Sequence, residues 1–208
     1  MKKTLFAIFL LLAATTCMAQ HHKTPQKTNN MESKNKSLVA FFSRAGENYS
    51  VGYIEKGNTQ IVAETIASET GADLFHIEPQ KPYPTDYARC IEVAKLEKQT
   101  NARPAIKEDI RVENYDTIFL GYPNWWGEMP MAVYTFIEKH NWHGKTVIPF
   151  CTHEGSGLSD TESHIRSACK GGKILQGLAI RGTTAQHDSK TTRKAVITWL
   201  KKLNMHKQ

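Results

Sequence analysis

The chain has 208 residues with 27 Lys and Arg against 20 Asp and Glu, and its formal net charge of +7 at pH 7 would suit a nucleic-acid-binding protein. Most of that charge is N-terminal: residues 1–36 hold six Lys and one Glu, contributing +5, and residues 37–208 hold 21 Lys and Arg against 19 Asp and Glu, contributing +2. Because this near-neutral remainder has no basic stripe with interleaved aromatic residues, nucleic acid is excluded as a partner.

The first twenty residues have the pattern of a secretory signal. Lys2 and Lys3 precede an apolar run over 5–14, and the segment ends Cys17-Met18-Ala19, so we expect cleavage after Ala19 and a signal peptide over 1–19. The apolar run is too short to span a bilayer, so we expect no stable membrane span in the mature chain. Residues 20–36 are polar and predict a flexible tether. These features predict an exported, periplasmic protein; the alternative is a lipoprotein acylated on Cys17, although the preceding residues lack the usual Leu and final Gly or Ala.

Residues 37–208 are predicted to form one α/β domain, because short apolar runs alternate with helical periodicities five times. The predicted strands cover 38–43, 72–77, 115–120, 145–151 and 174–180, and the predicted helices cover 58–70, 86–99, 131–139, 159–169 and 191–203. Such alternation implies a parallel sheet covered by helices on both faces. Five units are compatible with the doubly wound strand order 2-1-3-4-5. The odd number of cysteines in this part, Cys90, Cys151 and Cys169, leaves at least one without a partner in the chain.

The most informative segment, Gly-Tyr-Pro-Asn-Trp-Trp-Gly over 121–127, follows the third predicted strand at the sheet edge where ligands bind. Successive side chains of an extended segment face opposite ways, so we expect at least one of Trp125 and Trp126 to face solvent or a planar ligand. A second loop, 151–157, follows the fourth predicted strand and contains two glycines that let the backbone approach a ligand. Its Ser156 does not fit the Gly-x-Ser-x-Gly elbow of a serine hydrolase, because both outer glycines are missing.

These strings carry a family resemblance. From Ser37 to Leu203 the chain resembles the flavodoxin-like FMN-binding family, and it is especially similar to a bacterial flavodoxin subfamily that shares the 121–127 string, Pro-Phe-Cys-Thr-His-x-Gly-Ser-Gly over 149–157 and Gly-Leu-Ala-Ile-Arg-Gly over 177–182. The resemblance implies a flavodoxin-like doubly wound five-stranded parallel sheet, noncovalently bound FMN, and electron transfer with a redox partner protein or a membrane electron donor. Two alternatives stay open: an FMN-dependent NAD(P)H:quinone-type reductase, and a non-redox binding module whose split phosphate loop has lost affinity.

The resemblance and the chemistry of FMN together predict the binding residues. The phosphate is expected at the start of the helix after the first strand, where free N–H groups favour an anion, on Ser43, Arg44, Asn58 and Thr59. Ordinary flavodoxins form one compact loop there, whereas thirteen residues, Arg44 to Lys56, separate Ser43 from Gly57 in this chain. The ring is expected between two loops, one supplying Pro123, Asn124, Trp125, Trp126 and Gly127 and the other supplying Thr152, His153, Gly155, Ser156 and Gly157. His153, if protonated, would also stabilise an anionic reduced flavin.

Overall fold

A parallel sheet lies at the centre of the computed structural model, which describes residues 36–206; the predicted signal peptide and the tether up to residue 35 lie outside the described residues. In chain order the elements are β1 (Ser37–Phe41), β2 (Gly46–Asn48), β3 (Gly52–Ile54), α1 (Asn58–Thr70), β4 (Asp73–His76), α2 (Tyr87–Gln99), β5 (Thr117–Pro123), α3 (Met131–Glu138), β6 (Thr146–His153), α4 (Thr161–Ala168), β7 (Lys173–Ile174), β8 (Leu178–Arg181), α5 (Gly182–His187) and α6 (Ser189–Lys202). The sheet runs β4-β1-β5-β6, with β7 and β8 both paired to β6, and all of these pairs are parallel. The predicted order 2-1-3-4-5 is therefore confirmed.

The central strands are apolar along their whole length because both of their faces are covered. β5 and β6 are buried except at their ends, as expected of parallel strands between two helical layers. On one face Leu38, Leu120 and Val147 pack with residues of α3 and α4. On the other face Val39 and Phe119 pack with residues of α1, α5 and α6. Two hydrophobic cores thus hold the sheet, and its carboxyl edge is left for loops.

The fifth predicted strand, 174–180, is not continuous but consists of β7 and β8. Leu175 N–H donates to Val147 O at 3.0 Å, so the ladder with β6 is intact at this point. Pro149, two residues further along β6, has no N–H with which to extend the ladder. The Gly177 N–H turns instead to the Glu162 carboxylate at 2.7 Å. The pairing also shifts by one residue here, from Val147 with Ile174 to Phe150 with Leu178, so the strand is broken by one extra residue beside the proline.

The helices largely occupy the predicted ranges. α1 has the predicted bounds and ends at Gly71, whose φ of 73° allows the left-handed closing turn. At the start of α2, Asp86 caps the helix by accepting a hydrogen bond from the Arg89 N–H at 2.8 Å. The short helix α5 and the β2–β3 hairpin were not predicted. Between residues 36 and 206, no helix is both long and apolar enough to cross a bilayer.

Candidate functional site

An open cleft of about 750 Å³ lies at the carboxyl edge of the sheet, next to the ends of β5 and β6. This is the edge at which doubly wound sheets bind ligands. The predicted site residues that line the cleft are Arg44, Asn58, Pro123, Asn124, Trp125, Trp126, Thr152 and His153. The other predicted residues, Ser43, Thr59, Gly127, Gly155, Ser156 and Gly157, lie in the same loops but do not line it. The three predicted segments therefore meet around one cavity.

The two tryptophans have different environments, as predicted from their adjacency. Trp125 packs edge-on against Phe42 and Tyr83, with ring centroids 5.5 and 5.2 Å away. Trp126 is half exposed, with 51% of its surface accessible. Both line the cleft, so the partly buried indole of Trp125 supports the loop and the more exposed indole of Trp126 offers a face to a ligand.

A tight hairpin turn holds the exposed indole in place. Trp125 and Glu128 exchange backbone hydrogen bonds of 2.8 and 3.1 Å, and the two residues between them have positive φ, 53° at Trp126 and 77° at Gly127. These are the features of a type I′ turn, which glycine and asparagine adopt easily and tryptophan does not. Lys98 of α2 also donates to the Trp126 carbonyl at 2.8 Å. Trp126 is thus held in an unfavourable backbone conformation at the cleft, as often happens at functional sites.

Asn124 joins the two loops that were predicted to enclose the ring. Its Nδ2 donates to the Gly157 carbonyl at 2.8 Å and to Ser159 Oγ at 3.0 Å. Its Oδ1 accepts from the Gly127 N–H at 2.9 Å, and its own N–H donates to the Thr152 carbonyl at 2.8 Å. One amide side chain therefore fixes the spacing between the loops, and with it the width of the cleft.

His153 is held as a neutral imidazole. Its Nδ1 accepts from the N–H groups of Gly155 and Gly157 at 2.9 and 3.0 Å, which leaves Nε2 to carry the proton. Burial lowers the pKa of His153, the nearby Arg181 lowers it further, and Glu154 opposes them. This arrangement disfavours the protonated form that was considered for stabilising a reduced flavin. It leaves His153 as an Nε2–H donor and as the organiser of the 155–157 backbone.

The start of α1 closes the other end of the cleft. Ser43 Oγ accepts from the Gln60 N–H at 3.1 Å, so this side chain caps α1 although it lies outside the helix. Gly57 abuts this contact, since a Cβ there would lie 2.2 Å from Ser43 Oγ. The Thr59 hydroxyl is buried against the Thr152 hydroxyl at 2.8 Å. Both hydroxyls thus make a bond within the protein, and an anion at this end would also meet the Asn58 side chain and the first free N–H groups of the helix.

Arg44 serves chiefly as a clamp between segments. Its Nη1 donates to the Glu47 carbonyl at 2.6 Å, and its Nη2 donates to the carbonyls of Pro84 and Thr85 at 2.8 and 2.9 Å. Its Nε is buried and has no hydrogen-bond partner among residues 36–206. Since Arg44 also lines the cleft, it brings a positive charge to the site.

Several cleft residues were missed by sequence reasoning. They come from the β2–β3 hairpin, from α2 and from the loop after β6: Asn48, Tyr49, Tyr87, Cys90, Ile91, Ala94 and Glu154. The helical periodicity of α2 indicated a buried side but not which end of the sheet it faced. Cys90 is buried, and burial raises the pKa of its thiol. Glu154 accepts from the Thr183 N–H at 2.7 Å and so links this loop to α5.

The comparisons with known proteins agree with this geometry. A model of the flavodoxin family matches residues 36–202. The chain belongs to the flavodoxin family. It is 30% identical to a solved structure described as a flavoprotein from Bacteroides eggerthii DSM 20697, with a TM-score of 0.65 over 81% of this chain and 98% of that one. Among curated proteins, no sequence matches this chain.

Two further solved structures are similar to this flavodoxin. One is described as a flavoprotein from Bacteroides uniformis ATCC 8492, with 27% identity and a TM-score of 0.63 over 80% of this chain and 98% of that one. The other is a flavoprotein in complex with FMN from Lactobacillus acidophilus NCFM, with 22% identity and a TM-score of 0.55 over 70% and 93% of the two chains. Membership of the family supports FMN as the cofactor expected from the sequence.

The cleft residues fit FMN. The half-exposed indole of Trp126 offers a stacking surface for a planar ring, and the bonds of Asn124 hold open a gap between the two loops. The positive charge of Arg44, which lines the cleft, and the N-terminus of α1 suit a phosphate at the opposite end. No group of three metal-binding side chains was found in the described part of the chain.

Proposed function

We propose that this flavodoxin is an exported electron carrier that holds FMN noncovalently in the cleft at the ends of β5 and β6. The observation that carries the proposal is the meeting of a stacking surface, two joined loops and a helix N-terminus around one cavity. When bound, FMN supplies the redox chemistry, and the protein supplies its position and electrostatic surroundings. Trp126 at the rim also suits electron transfer, since the bound ring would lie near the surface a partner protein contacts.

Each part of the cleft has a task in this proposal. The turn over 125–128 presents Trp126 to one face of the ring. Neutral His153 offers an Nε2–H donor to the polar edge of the ring. Asn58 and the free N–H groups of α1 bind the phosphate, and Arg44 adds its positive charge.

Export and the electron donor complete the proposal. The pattern over residues 1–19 supports secretion, and nicotinamide cofactors are scarce outside the cytoplasm. A membrane-bound donor or a redox partner protein is therefore the expected source of electrons. Fractionation of cells that produce the full chain, with antibody detection in the periplasmic and membrane fractions, tests the location. Recovery in the cytoplasm alone would contradict export.

The function is tested with the purified FMN-loaded protein under anaerobic conditions. A carrier should be reduced through mediators at an electrode in resolved one-electron steps and should be reduced only slowly by NADH or NADPH. Rapid bleaching of the flavin by either nucleotide, with turnover of a quinone, would replace the carrier with the reductase. Failure of the protein to bind FMN would contradict both.

A further inference from the structure

The β2–β3 hairpin, which interrupts the expected phosphate loop, is fixed to the N-terminal end of α2. The Glu47 N–H donates to the Thr85 carbonyl at 2.9 Å, and the Glu47 carboxylate accepts from the Tyr87 N–H at 3.1 Å. The Arg44 guanidinium bonds carbonyls on both sides of this contact. At Gly46, where φ is 90°, a Cβ would lie 2.8 Å from the Thr85 carbonyl, so the two backbones touch. The hairpin and the start of α2 therefore form one wall.

This wall presents an aromatic pair to the cleft. Tyr49 of the hairpin and Tyr87 of α2 have ring centroids 6.3 Å apart and planes tilted by 30°, and both line the cavity. Tyr49 is 63% exposed, so the apolar core gains little from its ring. Tyr53, on the same hairpin, is equally exposed but does not line the cavity. Tyr49 and Tyr53 are thus equally exposed, but only Tyr49 borders the cleft.

We infer that Tyr49 is a flavin-binding residue, supported by Tyr87, and that the hairpin is the second aromatic wall of the site. The loop after β6 offers no aromatic side chain to the cleft beyond the imidazole of His153. A second aromatic surface, apart from the one formed by the two tryptophans, therefore has to come from another segment. A planar ring bound beside Tyr49 would cover its exposed surface and gain stacking energy. The inference rests on the proposed FMN function and adds to it the role of the inserted segment.

The experiment is a calorimetric titration of the apoprotein with FMN and, separately, with riboflavin. Tyr49→Ala should weaken the binding of both ligands by about tenfold, because the lost contact is to the ring that they share. Tyr49→Phe should bind within about twofold of the wild type, because the ring is kept and only the hydroxyl is lost. Tyr53→Ala is the matched control and should bind like the wild type. Circular dichroism of each apoprotein verifies that the fold is retained.

The outcomes separate this inference from the function on which it rests. Wild-type protein that binds neither ligand would overturn the proposed cofactor and the inference with it. If the wild type binds FMN and Tyr49→Ala binds it equally well, the inference alone is overturned. The same holds if Tyr53→Ala weakens binding as much as Tyr49→Ala does. A loss in Tyr49→Phe as large as that in Tyr49→Ala, or a loss for FMN without one for riboflavin, would also overturn it, because the contact would then be to the hydroxyl or to the phosphate.

Discussion

Replacing Trp126 by Asn or by Ala separates the cost of its backbone conformation from the contribution of its indole ring. Both substitutions remove the ring, but only Asn tolerates the left-handed conformation seen at φ 53°. That conformation costs an ordinary L-residue roughly 1–2 kcal/mol, and Asn-Gly is a preferred pair for a type I′ turn. We therefore expect apo Trp126→Asn to be more stable than apo Trp126→Ala by about 1 kcal/mol. In a domain of this size that difference raises the Tm by roughly 2–4 °C.

Binding should change differently from stability. Both Trp126 variants should lose FMN affinity, by roughly two- to tenfold from stacking alone, and should quench flavin fluorescence less than the wild type. Thermal unfolding of the apoproteins and FMN titrations measure the two effects separately. Trp125, which is not among the residues with positive φ, provides the control: Trp125→Asn should be no more stable than Trp125→Ala. Equal stability of the two Trp126 variants would refute the proposed strain, and wild-type quenching in both would refute the stacking surface.

Three further predictions test other parts of the site. The protein should bind FMN more tightly than riboflavin by calorimetry, and Asn58→Ala should reduce that difference; equal affinities in the wild type would contradict the phosphate position. Gly57→Ala should lower the free energy of unfolding in urea by about 1–3 kcal/mol, because its Cβ would overlap Ser43 Oγ, and an unchanged urea midpoint would contradict the close approach. The pKa of His153 is lower in the folded protein, so the unfolded chain binds the proton more readily. His153 therefore contributes stability above about pH 6.5, and this contribution is lost as the pH falls through the folded-state pKa. His153→Asn should therefore flatten the pH dependence of the free energy of unfolding in that range. Burial also lowers the pKa of His140, but His140 is present in both proteins and contributes equally to each.

The fold was predictable because its signals are local. Strands buried on both faces read as apolar runs, as at 117–123, and α1 could be placed to the residue from its apolar spacing and the glycine after it. The prediction of one continuous fifth strand was wrong because its break lies beside a proline of β6. The sequence of 174–180 does not contain that proline. The β2–β3 hairpin was not predicted for a similar reason. It is anchored to the backbone of residues 84–87, about forty positions away in sequence.

The candidate site was predictable where its residues follow strands. β5 and β6 run parallel and end together, so the segments after them had to meet. The walls contributed by α2 and by the hairpin depend on how a helix packs over the sheet, and no short spacing encodes that. Residue types alone also did not reveal the bonds that individual side chains make within the protein. Ser43 and Thr59 are suitable phosphate ligands by chemistry, but one hydroxyl caps α1 and the other bonds to Thr152.

The insertion before α1 does not by itself remove the phosphate site, as the non-redox alternative assumed. The chain leaves β1 at Phe41 and returns to Gly57 beside Ser43 and Arg44, so the ends of the insertion are adjacent in space. Because the loop closes on itself, the N-terminus of α1 keeps its position at the carboxyl edge of the sheet, and its first N–H groups still face outward. The longer loop changes the wall of the cleft beside these N–H groups. Residues that would otherwise form a compact turn hold the β2–β3 hairpin against α2. The loss of the compact loop motif is therefore compatible with retained FMN binding, and the added hairpin gives the cleft an aromatic side that the motif would not supply.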